Sequence, residues 1–415
     1  MRIGLISQWY DPEVGSAGVP GSIAQALIGR GHEVDVLTGF PNYPDGNVYA
    51  GYRIRPYLRE RRDGVRVHRA PLYPSHDSRP GHRAANFLSL AASSSIVGLK
   101  ALAEVEATLV YSSPATMAIP AMTLRAVRRT PYVLLIQDMW PQSVTASQFI
   151  RSRASEIVER ALHRFCDVTY GRAASIAVTS PGMADLLLAR GVSPAKISVV
   201  PNWADERYFY PTDAPEDVIA EVRASDRFTV MYAGNLGEVQ GLEVIIEAAT
   251  LLRNREEIGF VLVGGGVAEA SLRQMTAERG LTNVRFAGPR PVDRMAKVLA
   301  AADLQLVTLR DLPIFRSVLP SKVQATLAAG RPLVAAVTGD AASVVRESGA
   351  GIVTPPGDAE AMADAVLSAS QLSSAELSRR GAAGRSYYMK HLGREAGAEA
   401  LSSLLQQAAA GAAKR

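Results

Sequence analysis

Short apolar runs, each closing on glycine, serine or proline, alternate along the chain with longer amphipathic stretches. The first run is Ile3-Gly-Leu-Ile6, ending at Ser7. A Gly/Pro-rich loop at 11–18 follows. Ile23, Ala24, Leu27 and Ile28 then recur at helical spacing until Arg30-Gly31-His32, and Val34-Asp-Val-Leu-Thr38 alternates as a second strand. Strand, loop, helix and strand make one βαβ unit, which predicts a parallel sheet. The pattern predicts further strands at 109–111, 132–136, 175–179 and 197–200. A second series falls at 228–232, 260–263, 284–287, 304–307 and 333–336. The polar stretch from 201 to 226 reads as a linker, and the Ala/Leu-rich segment from about 393 to 412 as a closing helix. The fold class is α/β, with two doubly wound domains in series.

Length agrees, since 415 residues exceed the roughly 250–300 that one core sustains. A composition of 47 % apolar and 20 % charged residues suits a soluble globular protein. Cys166 is the one cysteine, so no internal disulfide forms, which favours a reducing cytoplasm. The opening residues lack the apolar core and cleavage site of a signal peptide. The uncharged, apolar-leaning run 84–99 is shorter than the roughly 20 residues of a membrane span and reads as a helix that is partly buried or lies at a surface.

Charge is unevenly spread. Residues 1–200 carry 22 Lys and Arg against 15 Asp and Glu, a net of +7, and the remainder 23 against 25, a net of −2. The excess lies between Arg53 and Arg83, where nine arginines meet three acids. Such a patch attracts phosphates of anionic lipid headgroups or nucleic acid, or is a solvated arginine-rich face. No recognition motif accompanies it, so nucleic acid is not expected.

In an open parallel sheet, ligands bind beyond the carboxyl ends of the strands. Ala233-Gly234-Asn235-Leu236-Gly237 follows a strand and opens a helix. Glycine admits close approach, and a helix start offers unpaired N–H groups, so a diphosphate is the natural occupant; a tight turn without ligand is the alternative. Gly264-Gly265-Gly266 ends the next strand and could receive the rest of a nucleotide, though a plain turn fits equally. Pro320 and Ser321 suit a helix start, with Ser321 as cap. Lys322 then stands in the first turn, where a cation makes sense if an anion binds. Arg316 lies just upstream. Gly15 to Gly18 could approach the same ligand from the first half. Asp138, at a strand end beside Trp140, could bind sugar hydroxyls, move a proton, or cap a turn. The six histidines are scattered, with no metal-binding spacing, no nucleophile triad signature and no Walker loop.

Together these residues resemble family 4 glycosyltransferases of the GT-B fold, in the branch of bacterial L-fucosamine, O-antigen and colanic-acid transferases. The resemblance rests on Arg30-Gly-His-Glu-Val34, Thr38-Gly-Phe-Pro-Asn-Tyr-Pro44, Asp138-Met-Trp-Pro141, Ser180-Pro-Gly-Met183 and Val200-Pro-Asn202. In the second half it rests on Tyr232-Ala-Gly-Asn-Leu-Gly237, Gln240-Gly-Leu-Glu243, Pro320-Ser-Lys322, Ala328-Ala-Gly-Arg-Pro332 and Pro355-Pro-Gly-Asp358. It implies two Rossmann-like domains facing a cleft: an acceptor-side domain at 1–204, a nucleotide-sugar domain at 205–390, and a helix at 391–415 crossing back to the first. It implies transfer from a nucleotide-diphosphate sugar, usually a UDP-sugar, with retention and without metal or other cofactor. The nucleotide sugar would contact Gly15, Gly234, Asn235, Leu236, Gln240, Gly264, Gly265, Ser321 and Lys322. Asp138, Arg316 and Lys322 would serve catalysis. The acceptor would be a glycan, glycolipid or small molecule at the inner face of the membrane, with the Arg53–Arg83 patch docking there. Five positions depart from the wider family pattern: Ser317 and Ala325 stand where relatives carry paired glutamates, the second of which binds the ribose; Asn235 and Gln240 stand where an Arg and a Lys are common, as is typical of this branch; and Gln137 stands where a histidine is frequent.

Three rivals share features of this pattern. An NAD-linked oxidoreductase would need Gly-x-Gly-x-x-Gly after the first strand, which is absent. A UDP-sugar 2-epimerase has the same two-domain form. A degenerate membrane-surface scaffold would explain the missing glutamates.

Overall fold

The computed structural model describes residues 1–13, 18–76, 79–140, 153–223 and 227–413. It divides into two compact units, Met1–Val200 with Ala398–Arg415, and Pro201–Gly397.

The first unit is an eight-stranded sheet of β1 (Arg2–Ile6), β2 (Glu33–Gly39), β3 (Leu58–Arg62), β4 (Val65–Ala70), β5 (Ala107–Ser112), β6 (Tyr132–Ile136), β7 (Ser175–Val178) and β8 (Ile197–Val199). The order is β3-β4-β2-β1-β5-β6-β7-β8, parallel throughout except for antiparallel β3 and β4. Helices cover both faces of such a sheet, so its inner strands are unbroken apolar runs. β5 and β6 are accordingly buried at every position.

The first strand of the β3–β4 hairpin has no apolar alternation to announce it. Its strands are joined at Asp63 and Gly64, both with positive φ as a tight hairpin turn requires. Charge does part of the work that apolar side chains do elsewhere. Asp35, wholly buried in β2, accepts from Arg2 Nε at 2.7 Å, Arg66 Nε at 2.7 Å and His68 Nε2 at 3.2 Å. Tyr57 Oη bonds His68 Nδ1 at 2.8 Å. Burial opposes ionisation of Asp35, but the hydrogen bonds from His68, Arg66 and Arg2 outweigh it and hold the carboxyl well below its ordinary range. Arg69, equally buried, donates to Glu60 at 2.7 Å and to the Gly39 carbonyl at 2.8 Å. A buried ion costs several kcal/mol unless it is paired and hydrogen-bonded, so these groups fix the register of β1, β2 and β4. Arg62, Arg66 and Arg69 are therefore bound within the fold, while Arg53, Arg55, Arg59 and Arg61 remain exposed.

The uncharged run forms the helix Pro80–Ala101, with Leu90 buried and Leu88 and Ile96 exposed. No helix among the described residues is long and apolar enough to cross a membrane.

The second unit is a six-stranded, wholly parallel sheet of β9 (Phe228–Ala233), β10 (Ile258–Val263), β11 (Val284–Gly288), β12 (Leu304–Thr308), β13 (Leu333–Ala336) and β14 (Gly351–Thr354). Its order is β11-β10-β9-β12-β13-β14. The chain steps outward from β9 in one direction, then returns to build in the other. That makes the carboxyl ends of β9 and β12 the topological switch point. Val230, Phe260 and Leu262 fill one side of the sheet, and Met231, Val261 and Val263 the other.

The final helix, Arg394–Ala413, starts in the second unit. A side chain at Gly397 would strike the Trp203 ring at 2.5 Å. From Ala398 onward the helix belongs to the first unit, where Ser402 Oγ lies 2.7 Å from His32 Nε2.

Candidate functional site

Two glycine turns meet at the switch point of the second unit. Gly234 closes β9 with φ +146°, and Gly264 and Gly266 close β10 with φ +136° and +156°. A side chain on Gly264 would collide with the Gly234 carbonyl, and one on Gly266 with the Leu236 carbonyl. The three glycines thus let two loops lie in contact. The turns are stitched by Gly234 N–H to Val263 O and Leu236 N–H to Gly265 O, each at 2.9 Å. This corrects the expectation that the Gly234–Leu236 amides present themselves as a set. Those of Gly234 and Leu236 are already used, and those of Asn235 and Gly265 donate to no backbone carbonyl among the described residues.

Lys322 lies against this turn. It is the second residue of the helix Ser321–Ala328, and a side chain on Gly234 would collide with its stem and stand 3.1 Å from Nζ. Nζ sits 5.3 Å from the centroid of the Tyr232 ring. Tyr232 is wholly buried and bonds the Asn235 carbonyl through its hydroxyl at 2.8 Å. No carboxylate pairs with Lys322 among the described residues, and burial lowers its pKa below that of an ordinary lysine. A partly buried cation at a helix start, opposed by the dipole, is an arrangement that an anion would relieve.

The neighbouring side chains differ from expectation in detail. Ser321 is exposed and does not cap its helix, because Pro320 occupies the cap position and no side chain closes it. Asn235 is exposed. Its Nδ2 and the Gln240 Oε1 stand 2.7 Å and 2.6 Å from where a side chain on Gly237 would begin. Gln240 Oε1 is buried without a hydrogen-bond partner. Arg316, in the short turn Pro313–Ser317, faces Asp311 at 3.6 Å and is exposed.

Arg310 escaped the sequence reading. It follows β12, donates to the Glu238 carbonyl and binds Glu243 at 2.7 Å, closing the loop after Gly237. A lone arginine after a strand gives no periodic signal.

The remaining expectations fall in the first unit. Asp138 is exposed just past β6 and accepts from Ser113 Oγ at 2.9 Å. Gly15 and Pro141 lie outside the described residues. Glu13 is another residue that sequence reasoning missed. It is almost fully buried and accepts the N–H groups of Tyr10, Asn42 and Tyr43 at 3.0, 2.8 and 2.9 Å. It thereby ties the loop after β1 to the loop after β2 and holds Trp9 and Tyr43 with ring centroids 5.5 Å apart.

Two family models match the chain. The model described as glycosyl transferases group 1 matches residues 227–371, and that of the glycosyl transferase 4-like domain matches 15–203. The colanic acid biosynthesis glycosyl transferase WcaI of Escherichia coli (strain K12) is 29 % identical over 335 residues, covering 80 % of this chain and 82 % of WcaI. Sucrose-phosphate synthase from Thermosynechococcus elongatus superposes with a TM-score of 0.72 at 20 % identity, over 99 % of both chains. Anabaena Alr3699/HepE in complex with UDP gives 0.67 at 16 %, over 98 % of this chain and all of that one.

Proposed function

The chain belongs to the family 4 glycosyltransferases of the GT-B fold, and from that premise we propose that it is a retaining, metal-independent transferase. It moves a hexose or an N-acetylated or deoxy hexosamine from a nucleotide-diphosphate sugar, preferentially a UDP-sugar, to an acceptor hydroxyl. The observation that carries this reading is the partly buried Lys322 ammonium, without a carboxylate partner among the described residues, against Gly234 at the switch point of the second sheet. That a neighbour of the same fold holds UDP supports the choice of base.

Negative charge grows on the departing diphosphate as the sugar–phosphate bond breaks. Lys322 is already in place to meet that charge, and the free Asn235 and Gly265 amides add donors. Preorganised charge of this kind needs no reorientation during reaction and is typically the largest catalytic contribution. The acceptor oxygen bonds the anomeric carbon on the face the diphosphate leaves. Its proton passes to the departing phosphate oxygen, so the bookkeeping closes without a dedicated base. Asp138 orients the acceptor hydroxyl. Arg316 contributes less, because its guanidinium must first leave Asp311.

The acceptor is a glycan, a glycolipid or a small molecule. Exposed Arg53, Arg55, Arg59 and Arg61, with exposed Ile54 and Tyr57 among them, dock the first unit on an anionic cytoplasmic leaflet. Charge-driven docking weakens with salt. Co-sedimentation with anionic vesicles that is indifferent to ionic strength would remove the membrane from this reading.

A panel of nucleotide sugars, followed by NMR of the product and by assay in EDTA, tests the whole proposal. A UDP-sugar should raise the melting temperature most, the anomeric configuration should be kept, and EDTA should leave the rate unchanged. Inversion, or loss of activity in EDTA, contradicts it.

A further inference from the structure

The three glycines after β10 do not all serve the fold. Gly264 and Gly266 have positive φ, and side chains there would collide with the Gly234 and Leu236 carbonyls. Gly265 meets neither demand. Its φ is not positive. Outside its chain neighbours, the one atom among the described residues within 4 Å of where a side chain would begin is Glu269 Oε2, at 3.5 Å. Backbone and packing would both tolerate a side chain here, and the half-buried Gly265 has open space in front of it. Glycine where the fold asks for none fits a place kept clear for a ligand.

Glu269 borders that space. It opens the helix Glu269–Glu278, where an acid suits the dipole. Arg273 holds its Oε1 through Nε and Nη2, both at 2.9 Å. Oε2 accepts no hydrogen bond among the described residues and stands before Gly265. The two turns therefore carry charges of opposite sign. The Lys322 ammonium lies against Gly234, the Glu269 carboxylate against Gly265, and the turns touch where Gly264 meets the Gly234 carbonyl. A lone phosphate would be drawn to the first charge and repelled by the second. A nucleoside diphosphate has the same polarity as the turns: an anionic diphosphate joined through one methylene to a ribose with two neighbouring hydroxyl donors. An ionised carboxylate only accepts, and its hydrogen bonds from hydroxyls are of the strong, charge-assisted kind.

On the premise of the nucleotide-diphosphate donor proposed above, we propose that Glu269 reads its ribose. The 2′- and 3′-hydroxyls donate to the Glu269 carboxylate, the diphosphate lies toward Lys322, and Gly265 leaves room for the ring. Glu269 thereby fixes the direction in which the nucleotide lies across the two turns.

Calorimetry with UDP and 2′,3′-dideoxy-UDP on the full chain tests this. The unaltered chain should bind UDP roughly tenfold or more tightly than the dideoxy compound, the worth of hydrogen bonds to a charged acceptor. In Glu269→Ala, UDP should weaken to the level of the dideoxy compound, whose own affinity should not fall. A merely structural Glu269 would instead weaken both and keep their ratio. Gly265→Val should weaken both ligands, since it obstructs the ring rather than the hydroxyls, without lowering the melting temperature of the ligand-free chain. The assignment is overturned by equal affinity for the two ligands in the unaltered chain, by a preference that survives in Glu269→Ala, or by full-strength UDP binding in Gly265→Val. Each of these results leaves UDP binding that depends on Lys322, and with it the proposed donor, in place. An unaltered chain that does not bind UDP overturns both.

Discussion

In the first unit, Arg2, Arg66 and His68 close around the buried Asp35, and Arg69 closes around Glu60. In the second, Lys322 is partly buried against Gly234 and the Tyr232 ring with no carboxylate beside it among the described residues. Both arrangements take charge out of water, but only the first neutralises it. Neutralised ions hold strands in register. A desolvated cation left unpaired costs stability unless something outside the chain completes it. The contrast separates charges that make the fold from the charge that the proposed function assigns to a ligand.

Removing a member of each set should have opposite consequences. Asp35→Ala leaves Arg2 and Arg66 with only their exposed partners Glu104 and Glu33 and should cost about 3 kcal/mol of stability, the low end for a broken buried pair. Urea unfolding measures this, and the specific activity of the molecules still folded should be unchanged. Lys322→Met should leave the unfolding midpoint unchanged or raised and lower turnover roughly a hundred- to a thousandfold. A marked loss of stability in this variant would place Lys322 among the structural charges.

The two sets should also answer pH at opposite ends. Asp35 has a depressed pKa in the folded state. Its contribution is therefore complete above the ordinary aspartate value of about 3.9 and is lost as pH falls through the folded-state value, so acid unfolding should steepen below roughly pH 4. Asp35→Asn should flatten that limb. Lys322 loses its proton more easily than an ordinary lysine in the ligand-free protein, so kcat/KM should fall on the alkaline side earlier than an unperturbed lysine would allow. In Lys322→Arg that fall should move to higher pH. The smallest effect belongs to neither set. Ser180 caps the helix Pro181–Ala189 by accepting from Met183 N–H, so Ser180→Ala should cost about 1 kcal/mol without touching turnover.

Much of the fold was legible because apolar runs declare buried parallel strands. Residues 132–136 and 333–336 were bounded as the structure has them, and most other strands within a residue or two. The β3–β4 hairpin was not, because Leu58-Arg-Glu-Arg-Arg62 is held by ion pairs and carries no hydrophobic period. β14 was missed too, a four-residue strand that is only partly buried at three of its positions. At the candidate site, Gly234, Gly264 and Lys322 were recognisable, since glycine at a strand end and a lysine at a helix start both violate local preference. The Ser321 cap was not realised, because a proline took the cap position. Glu13 and Arg310 were illegible, since each joins loops that only the folded chain brings together.

The central claim is that Lys322 grips a diphosphate, and comparing UDP with uridine tests it most directly. Calorimetry on the unaltered chain and on Lys322→Met should show UDP binding weakened by roughly tenfold or more, the worth of a charge-assisted contact, with uridine affinity unchanged. Equal loss for both ligands, or loss for neither, would contradict the claim.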